Sequence, residues 1–120
     1  MPLPSEARDL RLHLEDMLTF AERALAYSAG LSQADWAADR MRYDATLRNL
    51  ELIGEAASRV PAEWREAWPE LPWRQMIATR NRLIHAYLGI DDDIVWSILR
   101  DALPPLCEQL RQRLQSQPGA

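Results

Sequence analysis

Apolar residues recur at helical spacing along almost the whole chain. Leu10, Leu14, Met17, Ala21 and Leu25 fall three or four apart. That stripe predicts a helix with Ser5 as its N-cap, running to about Ala29 and ended by Gly30. Ser32, with Asp35 three residues on, resembles a capping box in which Asp replaces the usual Glu. A second stripe, Tyr43, Leu47, Leu50, Ile53, Ala57 and Val60, predicts one helix from Trp36 to about Val60. Gly54 sits in its middle at a cost of about 1 kcal/mol against alanine, which marks a close helix contact. Pro61, Pro69 and Pro72 punctuate a connector, where Trp64 and Trp68 are spaced to share one turn of helix. A third main helix is expected from about Trp73 to Tyr87, ended by Gly89. One of Asp91, Asp92 and Asp93 should cap a last helix reaching about Gln115. Its inward residues would be Ile94, Ile98, Leu103, Leu106, Leu110 and Leu114, with a kink or restart at Pro104 and Pro105. Strand-like alternation and internal repeats are absent. The expectation is one all-α domain over residues 1–120, with a core of about 5–115 and a frayed tail at 116–120. Its architecture would be an antiparallel four-helix bundle with a short extra connector helix.

One segment breaks this pattern. In Arg80-Asn81-Arg82-Leu83-Ile84-His85-Ala86-Tyr87, the apolar stripe of Met76, Ile77, Leu83, Ile84, Tyr87 and Leu88 is interrupted at positions 80 and 81. A guanidinium on a buried face is costly unless it is paired or serves a ligand. Arg80 is thus either a structural cation satisfied by a carboxylate such as Glu51 or Glu55, or a ligand-binding group.

Charge sharpens the second option. The chain has 14 basic residues, all arginine, against 18 acidic ones, for a net charge of −4. Such a protein does not coat nucleic acid non-specifically. Yet residues 71–90 hold Arg74, Arg80, Arg82 and His85 with no Asp or Glu. A confined basic patch of this kind can hold a few phosphates, and the planar arginine fork grips phosphate oxygens in pairs.

Other chemistries find little support. With one cysteine and two histidines, the usual zinc sites cannot be built, and no metal or other cofactor is expected. The run Asp91-Asp92-Asp93 reads either as a helix N-terminus or as a magnesium site. His13 reads as a solvated or half-buried helix residue, and the five tryptophans as core mass or as base-stacking platforms. Cys107 stands alone, which excludes an internal disulfide and fits a reducing cytoplasm. Neither a membrane-spanning apolar run nor a signal-peptide pattern is expected.

Arg80 and His85 remain. Imidazole moves protons at neutral pH, and guanidinium stabilises phosphate charge. Together they suffice for RNA cleavage without metal, in which the 2′-hydroxyl attacks the adjacent phosphorus and leaves a cyclic phosphate. Five residues on a straight helix is about 140° of rotation and 7.5 Å of rise, so the two side chains of one chain flank a face without sharing a point. A two-fold dimer would bring the segment from both chains together. Asn81, four residues before His85, can orient the imidazole or the phosphate.

The segment from Arg80 to Tyr87 resembles the Arg-x4-His-x-Tyr motif of HEPN-domain ribonuclease toxins, in particular the HepT-like family. Leu50-Glu51-Leu52-Ile53-Gly54-Glu55-Ala56 resembles that family's Ile-Gly-Glu-Ala helix. Pro72-Trp73 and the stretch from Asp91 to Trp96 also fit, and the likeness runs from about Ala7 to Leu114. The resemblance implies a HEPN-like helical homodimer that is the toxin of a type VII-like toxin–antitoxin module. In it, Arg80 and His85 are catalytic in a composite site at the dimer interface, and Asn81 supports them. RNA is the substrate. The partner is a MntA-like minimal nucleotidyltransferase antitoxin, which can form higher hetero-oligomers and adds AMP to the motif tyrosine, here Tyr87. Two alternatives stay open. One is a catalytically inactive HEPN bundle that binds a nucleotidyltransferase, and the other is a plain dimerisation bundle in which Arg80 pairs with Glu51 or Glu55.

Overall fold

The computed structural model describes residues 4–85 and 89–116. These residues form α1 (Pro4–Ser28), α2 (Gln33–Ala38), α3 (Arg40–Arg59), α4 (Ala62–Ala67), α5 (Trp73–Ile84), α6 (Asp92–Ser97), a π turn (Ile98–Ala102) and α7 (Leu103–Ser116). The all-α expectation holds, with no strand among the described residues. No helix among them is long and apolar enough to cross a membrane.

Helix α1 reaches back to Pro4, so Ser5 lies inside the helix instead of capping it. Proline is tolerated there because first-turn N–H groups have no intrahelical acceptor. Leu10, Leu14, Met17, Ala21 and Ala24 are buried along its core face. Gly30, at φ +74°, supplies the left-handed turn that ends it.

The helix expected from Trp36 to Val60 is two helices. Ser32 caps α2 by accepting the Asp35 N–H at 3.1 Å. Asp39 then leaves the helical region at ψ 94° and caps α3 by accepting the Arg42 N–H. A short carboxylate can take a backbone donor itself, which lets Asp end one helix and open the next. The break turns Trp36 fully inward, where its Nε1 donates to Thr46 Oγ1 at 3.1 Å and its ring meets Tyr43 and Trp96.

In the connector, Trp64 lies in α4 and Trp68 is its C-cap, with ring centroids 5.6 Å apart. The Trp68 carbonyl accepts from Trp73 Nε1 at 2.9 Å, and Arg113 of α7 bonds Glu70 while lying over the Trp68 ring. The tryptophans therefore serve packing.

Asp91 is the N-cap of α6. The π turn then inserts an extra residue before Pro104 and Pro105. Two prolines in succession remove two helical donors and crowd the preceding turn, and the wider turn absorbs the kink. The inward register differs from expectation at Ile94, which is 47% exposed, because Val95 and Leu99 carry the core face instead. Cys107 is buried, and burial raises its thiol pKa.

In space, α5 packs on α3, α3 on α1, and α1 on α7. Between α5 and α7 lies a groove of about 310 Å³ with mainly apolar walls, including Leu50, Met76, Leu103 and Leu106.

Candidate active site

Helix α5 lacks acidic residues and turns three different faces to its surroundings. Trp73 and Met76 are buried on the inner face, and Arg80 continues that line against α3. Gly54 is the reason it fits. A Cβ at position 54 would stand 2.2 Å from Arg80 Cβ and 2.6 Å from the Met76 carbonyl oxygen. The two segments singled out in the sequence are thus one device, in which the missing side chain at Gly54 admits the stem of Arg80.

The guanidinium above this contact is fixed and not neutralised. Arg80 Nη1 donates to Asn81 Oδ1 at 3.0 Å. Its Nε is buried without a hydrogen-bond partner. Among the described residues, no carboxylate lies within ion-pairing distance of Arg80, and Glu51 pairs with Arg48 at 3.2 Å. The alternative in which Arg80 pairs with Glu51 or Glu55 is therefore not the arrangement found. An unsatisfied buried donor costs about 1–3 kcal/mol, and an orphan of this kind in a native fold calls for an explanation.

Asn81 departs from expectation. It lies on the exposed side of α5, one position round from the buried line, and its side-chain oxygen is occupied by Arg80. It touches the arginine more directly than sequence spacing suggested. His85 is the C-cap of α5, and its backbone N–H donates to the Asn81 carbonyl at 3.3 Å. Its ring sits at an exposed helix end. On helical spacing, positions 80 and 85 lie about 140° apart around the α5 axis. Tyr87, the expected modification site, lies outside the described residues. Arg82 is exposed and borders a small cavity with Thr79 and Ile94.

The acidic run is already occupied in structural roles. Asp91 caps α6, Asp92 accepts the Tyr43 hydroxyl, and Asp93 accepts from Gln33 Nε2 at 2.6 Å. Among the described residues, no three His, Cys, Asp or Glu side chains are grouped for a metal. Burial, together with the Asp92 carboxylate, raises the Tyr43 phenol from its ordinary value of 10.0 to about 12. A raised folded value favours the neutral phenol. This contribution to stability is complete below pH 10.0 and is lost as pH rises through about 12. Spectrophotometric titration should therefore show a late tyrosine component near pH 12 that Tyr43→Phe removes. Ionisation of every tyrosine near the ordinary value would contradict the Tyr43–Asp92 contact.

Sequence reading flagged Gly54 and Arg80 separately but had no way to join them. It also passed over Arg65 on α4, whose buried Nε has no partner, because nothing around that residue in the sequence marks it.

Comparison with known proteins assigns this geometry to a family. The description "Ribonuclease HepT-like" matches residues 17–113. The chain is 34% identical over 94 residues to "Probable ribonuclease HepT" of Thermococcus cleftensis, covering 78% of this chain and 86% of the relative. It is 32% identical over 103 residues to "Putative RNase MJ1380" of Methanocaldococcus jannaschii, covering 86% of this chain and 94% of the relative. No solved structure matches. With the match spanning the helix of Gly54 and all of α5, the chain belongs to the HepT-like ribonuclease family.

Proposed function

We propose that this protein is a metal-independent endoribonuclease, the toxin of a type VII-like toxin–antitoxin module, with Arg80 and His85 catalytic and Asn81 supporting. The observation that carries the reading is the state of Arg80. Its stem is locked over Gly54, and its guanidinium has no carboxylate partner among the described residues. A fixed cation with free donors is suited to a phosphate and to the charge that builds on it at the transition state.

In the proposed reaction, His85 accepts the proton of the 2′-hydroxyl. The 2′-oxygen bonds the adjacent phosphorus, the bond to the 5′-oxygen breaks, and that oxygen takes up a proton. The products are a 2′,3′-cyclic phosphate and a 5′-hydroxyl. Because helical spacing sets positions 80 and 85 of one chain about 140° apart around α5, the complete site takes the arginine of one protomer and the histidine of its partner in a two-fold dimer. Purified protein incubated with RNA should cleave it in the presence of EDTA and leave cyclic or 3′-phosphate ends. Cleavage that stops on chelation would overturn the mechanism.

Control falls on Tyr87, two residues beyond His85. A MntA-like nucleotidyltransferase antitoxin would add AMP there, placing an anion and a bulky nucleoside two residues along the chain from His85. Co-expression with such a partner should add the mass of AMP to the peptide carrying Tyr87 and silence cleavage. Modification at another residue, or silencing without modification, would reject this control.

A further inference from the structure

A second feature on α5 lies outside the Arg80–Gly54 contact. Between α4 and α5 runs an open cleft of about 590 Å³. Arg65 lines it from α4, and Trp73, Arg74, Ile77, Ala78 and Asn81 line it from α5. Arg65 Nε is buried and has no hydrogen-bond partner. Glu66 also borders the cleft, but no ion pair joins it to either arginine. Two cations thus border one cleft beside a single carboxylate that is paired with neither.

The helix gives the cleft a direction. Arg74, Ala78, Asn81 and His85 recur at intervals of three and four and form one stripe. Arg74 and His85 are eleven residues apart, which is about 20° off a common line and about 16 Å along the axis. The cleft therefore leads toward the proposed catalytic histidine, and Asn81 in its lining is bonded to Arg80.

We propose that the α4–α5 cleft binds the single-stranded RNA that flanks the scissile phosphate. Arg65 and Arg74 hold backbone phosphates, while the Ile77–Ala78 floor takes a ribose or base. This inference rests on the ribonuclease reading. Single-strand binding sites combine a cationic track with apolar surface in this way and tolerate sequence variation. An acidic protein gains from such a track because the rest of its surface repels RNA. A track of this length also favours longer RNA over a dinucleotide.

The test uses a 2′-O-methyl single-stranded oligonucleotide, which cannot be cleaved, with binding read by fluorescence anisotropy across a salt series. Arg65→Gln and Arg74→Gln should each weaken binding several-fold. Each should also flatten the salt dependence by about 0.7 in the log–log slope, as one lost phosphate contact requires. Arg23→Gln, the same charge loss at an exposed position on α1, should change neither. Arg74 is exposed, so its variant keeps the test valid even if Arg65→Gln destabilises the fold. If the wild type binds but both cleft variants behave like Arg23→Gln, the cleft assignment is wrong while the ribonuclease reading stands. If the variants weaken binding but the wild type cleaves no RNA, the cleft stands and the ribonuclease reading falls. No binding by the wild type, or equal competition from an oligoglutamate peptide, overturns the cleft as an RNA site.

Discussion

His85→Ala and Arg80→Ala are each expected to bring RNA cleavage close to background. Loss of a positioned acid–base group costs about 10²–10⁴-fold in rate. Loss of a charge-stabilising donor costs about 10²–10³-fold. The two variants should differ in stability. His85 is exposed at a helix end, so its replacement should move the thermal midpoint little. Arg80→Ala gives up the packing of its stem on Gly54 but also removes a buried donor with no partner, and these effects oppose each other. Rate against RNA, measured beside the midpoint by circular dichroism, separates catalysis from folding. Cleavage at the wild-type rate by either variant would remove that residue from the mechanism.

Gly54→Ala should destabilise the protein although it adds a single methyl group to a helix. In an open helix the change would gain about 1 kcal/mol from propensity. Here the new Cβ would meet the Arg80 Cβ at 2.2 Å and the Met76 carbonyl oxygen at 2.6 Å. The carbonyl belongs to the α5 backbone and cannot swing aside, so α3 and α5 must move apart. Overpacking of this kind typically costs about 1–3 kcal/mol and sometimes more. After the propensity gain, a net loss of about 1–2 kcal/mol would lower the midpoint by roughly 4–8 °C in a chain of this size. Cleavage should fall further than the midpoint suggests, because the contact that sets Arg80 is the one displaced. A Gly54→Ala protein with unchanged midpoint and activity would show that the contact does not hold the site.

Local signals carried the bundle into view. The stripe of Leu10, Leu14, Met17 and Ala21, the turn at Gly30 and the cap at Asp91 all stand where periodicity and turn chemistry put them. The signals failed where one residue overrides a continuous stripe. Helical periodicity runs unbroken through Asp39, yet its carboxylate captures the Arg42 N–H and splits the helix so that Trp36 can be buried. Ile94 read as core because it shares the spacing of Ile98, but Val95 and Leu99 face inward ahead of the π turn. At the site, the polar interruption at Arg80 was legible, and so was the tight spot at Gly54. That each explains the other is a fact about two helices crossing, and no local pattern encodes it. Asn81 shows the same limit, since stripe counting put it inside, whereas α5 turns its Trp73–Met76–Arg80 line inward and leaves Asn81 exposed. The cleft beside Arg65 and Arg74 needs α4 brought alongside α5 before it exists.

The central claim is that Arg80 and His85 from two chains together make one ribonuclease site. Two inactive proteins test it most directly. Arg80→Ala and His85→Ala chains, co-expressed so that dimers assort at random, place an intact Arg80 opposite an intact His85 in one of the two sites of each mixed dimer. The account predicts about a quarter of wild-type cleavage from the mixture, because half the dimers are mixed and each holds one complete site. A mixture as inactive as either variant alone would contradict the composite site.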